Sequence, residues 1–317
     1  MDDTVQSKMS QNKSKVPVTT FRGKETMDGA GVRLRRIFGG SNAYQFTDPF
    51  LLMDHFGSNK IEDYISGFPW HPHRGIETVT YLLEGKVDHE DSEGNRGTIY
   101  PSDLQWMRAA SGIFHEEMPK PLDQKNPDEL LRTVGLPTSV VGMQLWVNIP
   151  SSEKMNKPGY YGIRGSSTPV VESGTGAKVK VIAGNYLKTS GSFPGGGKLD
   201  PTYLDVNMPP ESTFSFETKE GYVTIIYVLS GTPYIQSGSS RRDMMQGDAT
   251  VFSRDGSQVT IMNEDNEARM IVLAGKPLNE QISWYGPIVM NTQAQIEEAL
   301  RDLRSGHFVR DREPLIQ

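Results

Sequence analysis

The sequence predicts an all-β protein built from two tandem β-barrels, with one helix near the C-terminal end. Three observations favour this fold class. Short runs of β-branched and aromatic residues recur between clusters of Gly, Pro, Asn and Asp, which is typical of strands joined by tight turns. The stretch at residues 75–85 recurs in similar form at residues 221–231. Residues 291–304 carry apolar side chains at helical spacing.

The repeated stretch is the strongest sign of two copies of one unit. Both copies begin and end with glycine, and they share three identical pairs at an offset of 146 residues: Thr78 with Thr224, Tyr81 with Tyr227 and Leu83 with Leu229. A strand and turn repeated at a fixed offset indicate that the chain folds as two related β-units.

The elements can be assigned in order along the chain. We expect a disordered tail at residues 1–17, a first domain at 18–150 and a second domain at 151–317. Strands of the first domain are predicted at residues 32–38, 78–83 and 141–149, and a turn with a strand at residues 97–107. Residues 119–140, rich in proline and charge, are expected to leave the barrel as a long loop, either a lid over a site or a surface insertion.

The second domain continues the same pattern and then changes to a helix. Its short strands are predicted at residues 203–208, 213–217, 249–252, 259–262 and 269–274. The helix is expected to start with Asn291 as its N-cap, to pack Ile296, Leu300 and Leu303 on one face, and to end at Gly306.

The composition excludes several classes of protein. The 317 residues carry a formal charge of −6, which argues against coating nucleic acid through the overall field. The absence of cysteine rules out disulfides, iron–sulfur clusters and thiolate ligands. No apolar run approaches the roughly 20 residues of a membrane span, and the first twenty residues lack a signal-like apolar segment. We therefore expect a cytoplasmic or nuclear monomer that binds neither nucleic acid directly nor membranes.

Two short motifs predict a metal site in the first domain. His71 and His73 are two residues apart, and so are His115 and Glu117, so each pair shares one face of an extended strand. If the pairs face each other inside a barrel, three imidazoles and one carboxylate converge. Such donors suit a first-row transition metal, Fe(II) or Mn(II) in particular. A solvated loop is the better interpretation of an isolated His-Pro-His, but three of the six histidines fall in these two pairs.

The other histidines have simpler interpretations. His55 follows an apolar run and is predicted to be structural or at the surface, His89 to be exposed in an acidic hairpin turn, and His307 to lie at the end of the helix. At the repeat offset, His71 corresponds to Glu217 and His73 to Lys219, so we expect the second barrel to lack metal donors.

The chain resembles the pirin family, a two-barrel branch of the cupin superfamily. The resemblance covers residues 44–308 and rests on motifs in a fixed order. The chain departs from the family pattern at Trp70, in place of a small acidic or polar residue, and at Ser102, in place of a turn glycine, and the stretches at 119–140 and 191–197 are longer than expected. The motifs include Gly67-Phe-Pro-x-His71-Pro-His73-Arg-Gly, Glu77-Thr-Val-Thr-Tyr-Leu-Leu-Glu-Gly85, Gly112-Ile-Phe-His115-x-Glu117-Met-Pro and Ser152-Glu-Lys-Met155.

The resemblance implies two cupin (jelly-roll) barrels and one iron, held by His71, His73, His115 and Glu117. Glu77 is the rival carboxylate, either as an alternative ligand or as a group next to the ligands. The resemblance also implies one of two functions. The first is a quercetin 2,3-dioxygenase, which opens the ring of a flavonol substrate with O₂, with Glu117, or Glu77 if it is free, as the base that takes the hydroxyl proton. The second is a non-enzymatic, redox-sensing co-regulator that binds transcription factors.

Overall fold

The computed structural model describes residues 13–122, 138–195 and 197–310. Residues 1–12 of the predicted tail and residues 123–137 of the predicted loop lie outside this part. Lys15, at the end of the predicted tail, is buried, and its ammonium group donates to the carbonyl oxygens of Tyr222 and Ser253, 2.8 Å away in each case. None of the helices in the described residues has the length and apolar character that crossing a membrane requires.

Two barrels of antiparallel strands make up the fold, as the sequence predicts. The strands that precede the second barrel along the chain are β1 Pro17–Arg22, β2 Lys24–Asp28, β3 Val32–Gly39, β4 Phe50–Ser58, β5 Phe68–His73, β6 Ile76–Glu84, β7 Lys86–Asp91, β8 Arg96–Ile99, β9 Leu104–Arg108, β10 Ile113–Lys120, β11 Val140–Asn148 and β12 Gly159–Ile163. A seven-stranded sheet, ordered β12-β9-β6-β11-β4-β3-β2, and a four-stranded sheet, ordered β5-β10-β7-β8, form the first barrel.

The second barrel repeats this plan. Its strands are β13 Val170–Glu172, β14 Lys178–Ala183, β15 Asn185–Tyr186, β16 Thr189–Ser190, β17 Thr202–Met208, β18 Ser212–Glu217, β19 Val223–Ser230, β20 Tyr234–Ser237, β21 Ser240–Asp243, β22 Asp248–Phe252, β23 Gln258–Asn263 and β24 Ala268–Gly275. The large sheet is ordered β1-β22-β19-β24-β17-β14-β13 and the small one β18-β23-β20-β21. The repeated stretches form β6 and β19, which hold the same place in the two large sheets.

An exchange of edge strands joins the two barrels. Strand β1 precedes the first barrel along the chain but pairs with β22 of the second, from Pro17 opposite Phe252 to Arg22 opposite Asp248. Strand β12 precedes the second barrel but pairs with β9 of the first, from Gly159 opposite Arg108 to Ile163 opposite Leu104. The sheets therefore do not separate at a single point in the sequence.

The large sheets pack against each other and share one core. Val79, Tyr81 and Trp106 of the first barrel lie in the same apolar cluster as Ile225 and Tyr227 of the second. Central strands such as β6 and β19 are therefore buried on two faces over most of their length. The interior of the second barrel is apolar as well, with Phe214, Phe216 and Phe252 among its side chains.

The helical segments differ from the expectation in two details. A short helix, α1 Ser41–Thr47, is present in addition to the single helix that the sequence predicts, and it buries Ala43, Tyr44 and Thr47. The C-terminal helix, α2 Gln293–Ser305, is capped by Thr292 rather than by Asn291, because Thr292 and Gln295 form a reciprocal capping box. Its end at Gly306, in the left-handed conformation with φ 77°, agrees with the prediction.

The segment after the second barrel returns to the first one. It consists of strands β25 Ser283–Tyr285 and β26 Ile288–Met290 followed by α2. The buried Lys154 ammonium group donates to the carbonyl oxygens of Gly75 (2.6 Å) and Val289 (2.9 Å), which joins this segment to the first barrel. The Arg74 guanidinium donates to Asp302 of the helix and to the carbonyl oxygen of Phe308, each at 2.8 Å.

Candidate metal centre

Three of the four predicted donors meet inside the first barrel. Strands β5 and β10 pair in antiparallel register, with His115 opposite His71 and Ile113 opposite His73. Because alternate residues of a strand share a face, His71 and His73 point towards the side chain of His115. The ligand atoms of the three histidines all lie within 4.8 Å of one another. The spacing of two residues in each motif accounts for the way in which the three imidazoles come together, and their role as metal ligands stays a prediction.

The hydrogen bonds of two histidines fix which nitrogen is free. His71 Nδ1 donates to the carbonyl oxygen of Pro69 at 2.8 Å, and His73 Nδ1 donates to that of Pro287 at 3.2 Å. These partners accept only, so each Nδ1 carries the proton and each Nε2 presents a lone pair. The two Nε2 atoms are 3.1 Å apart. Two lone pairs at this distance repel each other unless a cation lies between them.

The third histidine, His115, shows whether the site suits a metal, because its ring nitrogens are buried. His115 is 1% exposed, and neither ring nitrogen has a hydrogen-bond partner in the described residues. Burial lowers the pKa of all three imidazoles, that of His73 to about 3, so they are neutral at physiological pH. Three neutral imidazoles with unshared lone pairs form a donor set that suits Zn, Cu, Fe or Ni.

The carboxylate of Glu117 lies beside the histidines, but its hydrogen bonds are to Thr80 and Gln144. Its Oε1 accepts from the Thr80 hydroxyl at 2.7 Å, and its Oε2 is 3.4 Å from the amide nitrogen of Gln144. Glu117, His71 and His73 line one small cavity of about 50 Å³. Burial raises the pKa of Glu117 to about 7. In the described part of the chain the close group comprises the three histidines, and ligation by Glu117 stays a prediction.

Glu77 is placed differently from Glu117. Its carboxylate accepts from the indole of Trp106 at 2.7 Å and from the guanidinium of Arg108 at 2.6 Å, and it is almost fully buried. Both carboxylate oxygens of Glu77 are therefore engaged. Glu77 lines neither the small cavity nor the larger one, of about 910 Å³, that also borders His71 and His73. The geometry favours Glu117 over Glu77 as the carboxylate next to a metal, although a role for either one stays a prediction.

The larger cavity, of about 910 Å³ and called the outer cavity below, borders His71 and His73. Its wall carries the aromatic side chains of Phe68, Trp70, Trp146 and Trp284. No local motif points to Trp284 and Pro287, because they lie in the C-terminal segment, far along the chain from the histidine motifs. Thr80 and Gln144 were not predicted either, although polar side chains in the otherwise apolar strands β6 and β11 are a usable signal of an internal polar site.

In the described residues, the other three histidines do not belong to this close group, although His89 lies opposite Glu117 in the pairing of β7 with β10. The expectation that His89 is exposed is wrong: β7 continues to Asp91, and its alternation turns Val87, His89 and Asp91 inward. His89 Nε2 lies 2.9 Å from the Tyr160 hydroxyl. His55 is half-buried between the barrels, and His307 is exposed after α2, where its Nδ1 is 3.1 Å from Ser305 Oγ.

Comparison with known proteins identifies the family. The family model for pirin matches residues 31–147, and the model for the pirin C-terminal cupin domain matches residues 203–309. A pirin-like protein of Caulobacter vibrioides is 39% identical over 287 residues, which covers 90% of this chain and 96% of the relative. Human pirin is 35% identical over 294 residues, which covers 92% of this chain and 93% of the relative.

Solved structures agree with these matches. A quercetin 2,3-dioxygenase from Acinetobacter baumannii superimposes with a TM-score of 0.81 at 31% identity, covering 93% of this chain and 99% of that one. A bacterial pirin from Escherichia coli, solved in complex with nickel(II), shares the fold at 18% identity with a TM-score of 0.57, covering 82% and 98% of the two chains. The two matched domains and the extent of the alignments show that this chain belongs to the pirin family.

Proposed function

We propose that this protein is an iron-dependent dioxygenase of the quercetin 2,3-dioxygenase type, which opens the ring of a flavonol with O₂. One observation carries the proposal: three neutral imidazoles turn towards one point at the base of an aromatic cavity. A family relative of known structure, 31% identical to this chain, is named for this activity. Such a site leaves coordination positions free, unlike the closed sites of structural metals.

Each residue of the centre has a role in this proposal. His71, His73 and His115 would hold the iron, and Glu117 would complete the set or act as the base that takes the flavonol hydroxyl proton. The carbonyl oxygens of Pro69 and Pro287 keep the proton of two imidazoles on Nδ1, so that their Nε2 atoms remain free. When bound, iron supplies Lewis acidity and a template for a flavonol enolate and O₂.

The outer cavity suits a planar aromatic substrate. Its volume lies within the range of about 300–1,000 Å³ that small-molecule sites occupy. The indoles of Trp146 and Trp284 lie at its wall with ring centroids 6.1 Å apart, and Trp146 packs edge-on against His73 at 5.1 Å. Flat apolar walls next to the donor nitrogens favour an aromatic ring system over a compact polar substrate.

The test is aerobic turnover of a flavonol by iron-loaded protein. Wild-type protein should consume flavonol and O₂ together, and His115→Ala should abolish this because it removes a buried donor. His307→Ala is the matched control, since it removes an exposed imidazole at the end of α2 and should retain the activity. Turnover that survives in His115→Ala would remove this centre from the reaction.

A redox-sensing co-regulator is the second candidate. The observation that favours it is the position of Trp70, which directly precedes His71 in β5 and is 48% exposed. A change of iron charge would therefore act next to an apolar surface that a protein partner, such as a transcription factor, could contact. A cytoplasmic or nuclear location, which this role requires, stays a prediction. Pull-downs with identical partners for oxidised, reduced and metal-free protein would count against it.

A further inference from the structure

A separate cleft with polar walls lies between the barrels, and none of the three metal-site histidines lines it. It encloses about 440 Å³. Arg33, Arg35 and His55 of the first barrel line one side, and Tyr227, Gln246 and Gly247 of the second barrel line the other. Because the wall is shared, any molecule bound here contacts both halves of the protein.

Arg35 is an exposed residue whose side chain packs along two glycines of this cleft. It lies directly opposite His55 in the pairing of β3 with β4. A Cβ added at Gly23 would lie 2.3 Å from Cγ of Arg35, and one added at Gly247 would lie 2.7 Å from its Nη1. The aliphatic stem of Arg35 therefore packs directly against Gly23, and its guanidinium lies against Gly247. Gly247 has φ 83°, a conformation that other residues seldom adopt.

The guanidinium of Arg35 has no partner of opposite charge in the described residues. Glu25 lies opposite Arg35 in the pairing of β2 with β3, but its nearest cation is Arg33 at 3.6 Å. Asp248 lies 3.5 Å from Arg22. An accessible arginine without a counter-charge is suited to two oxygens of one anion, because its planar fork matches that geometry.

His55 and Tyr227 add a further donor. His55 Nδ1 lies 2.6 Å from the Tyr227 hydroxyl. Burial and the nearby charge of Arg35 lower the pKa of His55 to about 4, so the imidazole is neutral at physiological pH. Burial raises the pKa of Tyr227, so its phenol keeps its proton and donates it to Nδ1. His55 Nε2 then carries a proton, which makes it a donor beside Arg35.

We propose that the cleft between the barrels binds a small oxyanion, a phosphate or carboxylate group, through the Arg35 fork and the imidazole of His55. The amide of Gln246 lies on the opposite wall and can serve as a third donor. Glu25 at the rim limits the charge that the cleft accepts, and this favours a compact anion over a large polyanion.

The test is calorimetric titration of the full-length protein with inorganic phosphate and, separately, with succinate, at constant ionic strength. The two probes distinguish a phosphate ligand from a carboxylate ligand. Wild-type protein should bind at least one of them saturably, with a dissociation constant of about 1 mM or below. Arg35→Gln should weaken this binding by about ten-fold or more, because it removes the charge and the fork.

Arg164→Gln is the matched control, since it makes the same change of charge on another face of the first barrel, where Arg164 pairs with Asp103. It should leave binding unchanged. If Arg35→Gln does not fold, Arg35→Lys replaces it and should weaken binding several-fold, because lysine keeps the charge but not the fork. Absence of saturable binding up to about 10 mM of both probes, or equal loss in the variants at 35 and 164, would overturn the proposal.

Discussion

The ion pair between Arg74 and Asp302 gives a stability prediction that also concerns the metal centre. Arg74 follows the ligand His73 in the chain, is 1% exposed, and donates to the Asp302 carboxylate at 2.8 Å. The Phe308 carbonyl oxygen accepts a second bond, and the Phe308 ring lies 4.2 Å from the guanidinium carbon. Asp302→Asn keeps an acceptor oxygen but leaves the buried cation without a counter-charge.

The expected cost follows from the burial of the two partners. Removing one partner of a fully buried pair costs about 3–5 kcal/mol. The Asp302 side chain is 19% exposed and the contacts with Phe308 persist, so we expect a smaller loss, about 2–3 kcal/mol. Iron affinity should fall as well, because this pair anchors the segment that provides the Pro287 carbonyl oxygen to His73.

The assay is urea denaturation of metal-free protein, followed by circular dichroism, together with iron binding by the folded variants. Glu298→Gln is the control, since Glu298 pairs with Arg310 at the surface and should cost less than about 0.5 kcal/mol. A loss of stability in Asp302→Asn below about 1 kcal/mol, or no larger than in the control, would refute the prediction. The buried Arg74 guanidinium would then not need the negative charge of Asp302.

Three further predictions concern the metal donors and the contact between the barrels. Glu117→Gln should lower iron affinity by about ten-fold or more, whereas Glu77→Gln should lower stability with little effect on iron, because its partners are Trp106 and Arg108. A chelator should lower the thermal midpoint of iron-loaded wild-type protein by about 5 °C or more and should not affect His115→Ala. The folded state depresses the pKa of His55 to about 4, so its contribution to stability is lost as pH falls from about 6.5 to 4. His55→Phe should remove at most about 3 kcal/mol of this pH dependence, measured as the difference between the two profiles of urea stability.

Each of these expectations has an outcome that contradicts it. Equal loss of iron affinity in Glu77→Gln and Glu117→Gln would show that a position beside the histidines does not determine which carboxylate supports iron binding. A chelator effect that persists in His115→Ala would place the bound metal elsewhere. Parallel pH profiles for wild type and His55→Phe would mean that His55 is hydrated enough to keep its ordinary pKa.

Local patterns in the sequence predicted much of the fold and the imidazoles of the centre. The period of two residues places His71 and His73 on one face of a strand, and the repeat identifies the equivalent strands β6 and β19. The same rule applied to Val87, His89 and Asp91 would have corrected the expectation for His89. The acidic residues around His89 suggested a turn, but the strand continues because it pairs with β10.

The rest depends on contacts between distant parts of the chain. Nothing near Pro287 indicates that its carbonyl oxygen meets His73, since that contact arises only when the C-terminal segment docks on the first barrel. The cap of α2 was misplaced by one residue because Asn291 and Thr292 are both good N-caps. Tertiary context decides between them: the Asn291 amide donates instead to the carbonyl oxygen of Gln281 at 2.9 Å.

The exchange of edge strands makes the two barrels interdependent. A fragment ending at residue 150 would lack β12 and leave the backbone of β9 open, and the complementary fragment would lack β1 and leave β22 open. Open edges of this kind recruit other chains, so the isolated halves should aggregate, and mixing them should restore soluble protein. During synthesis β1 is made long before its partner β22. The large sheet of the second barrel is therefore incomplete until these two strands pair.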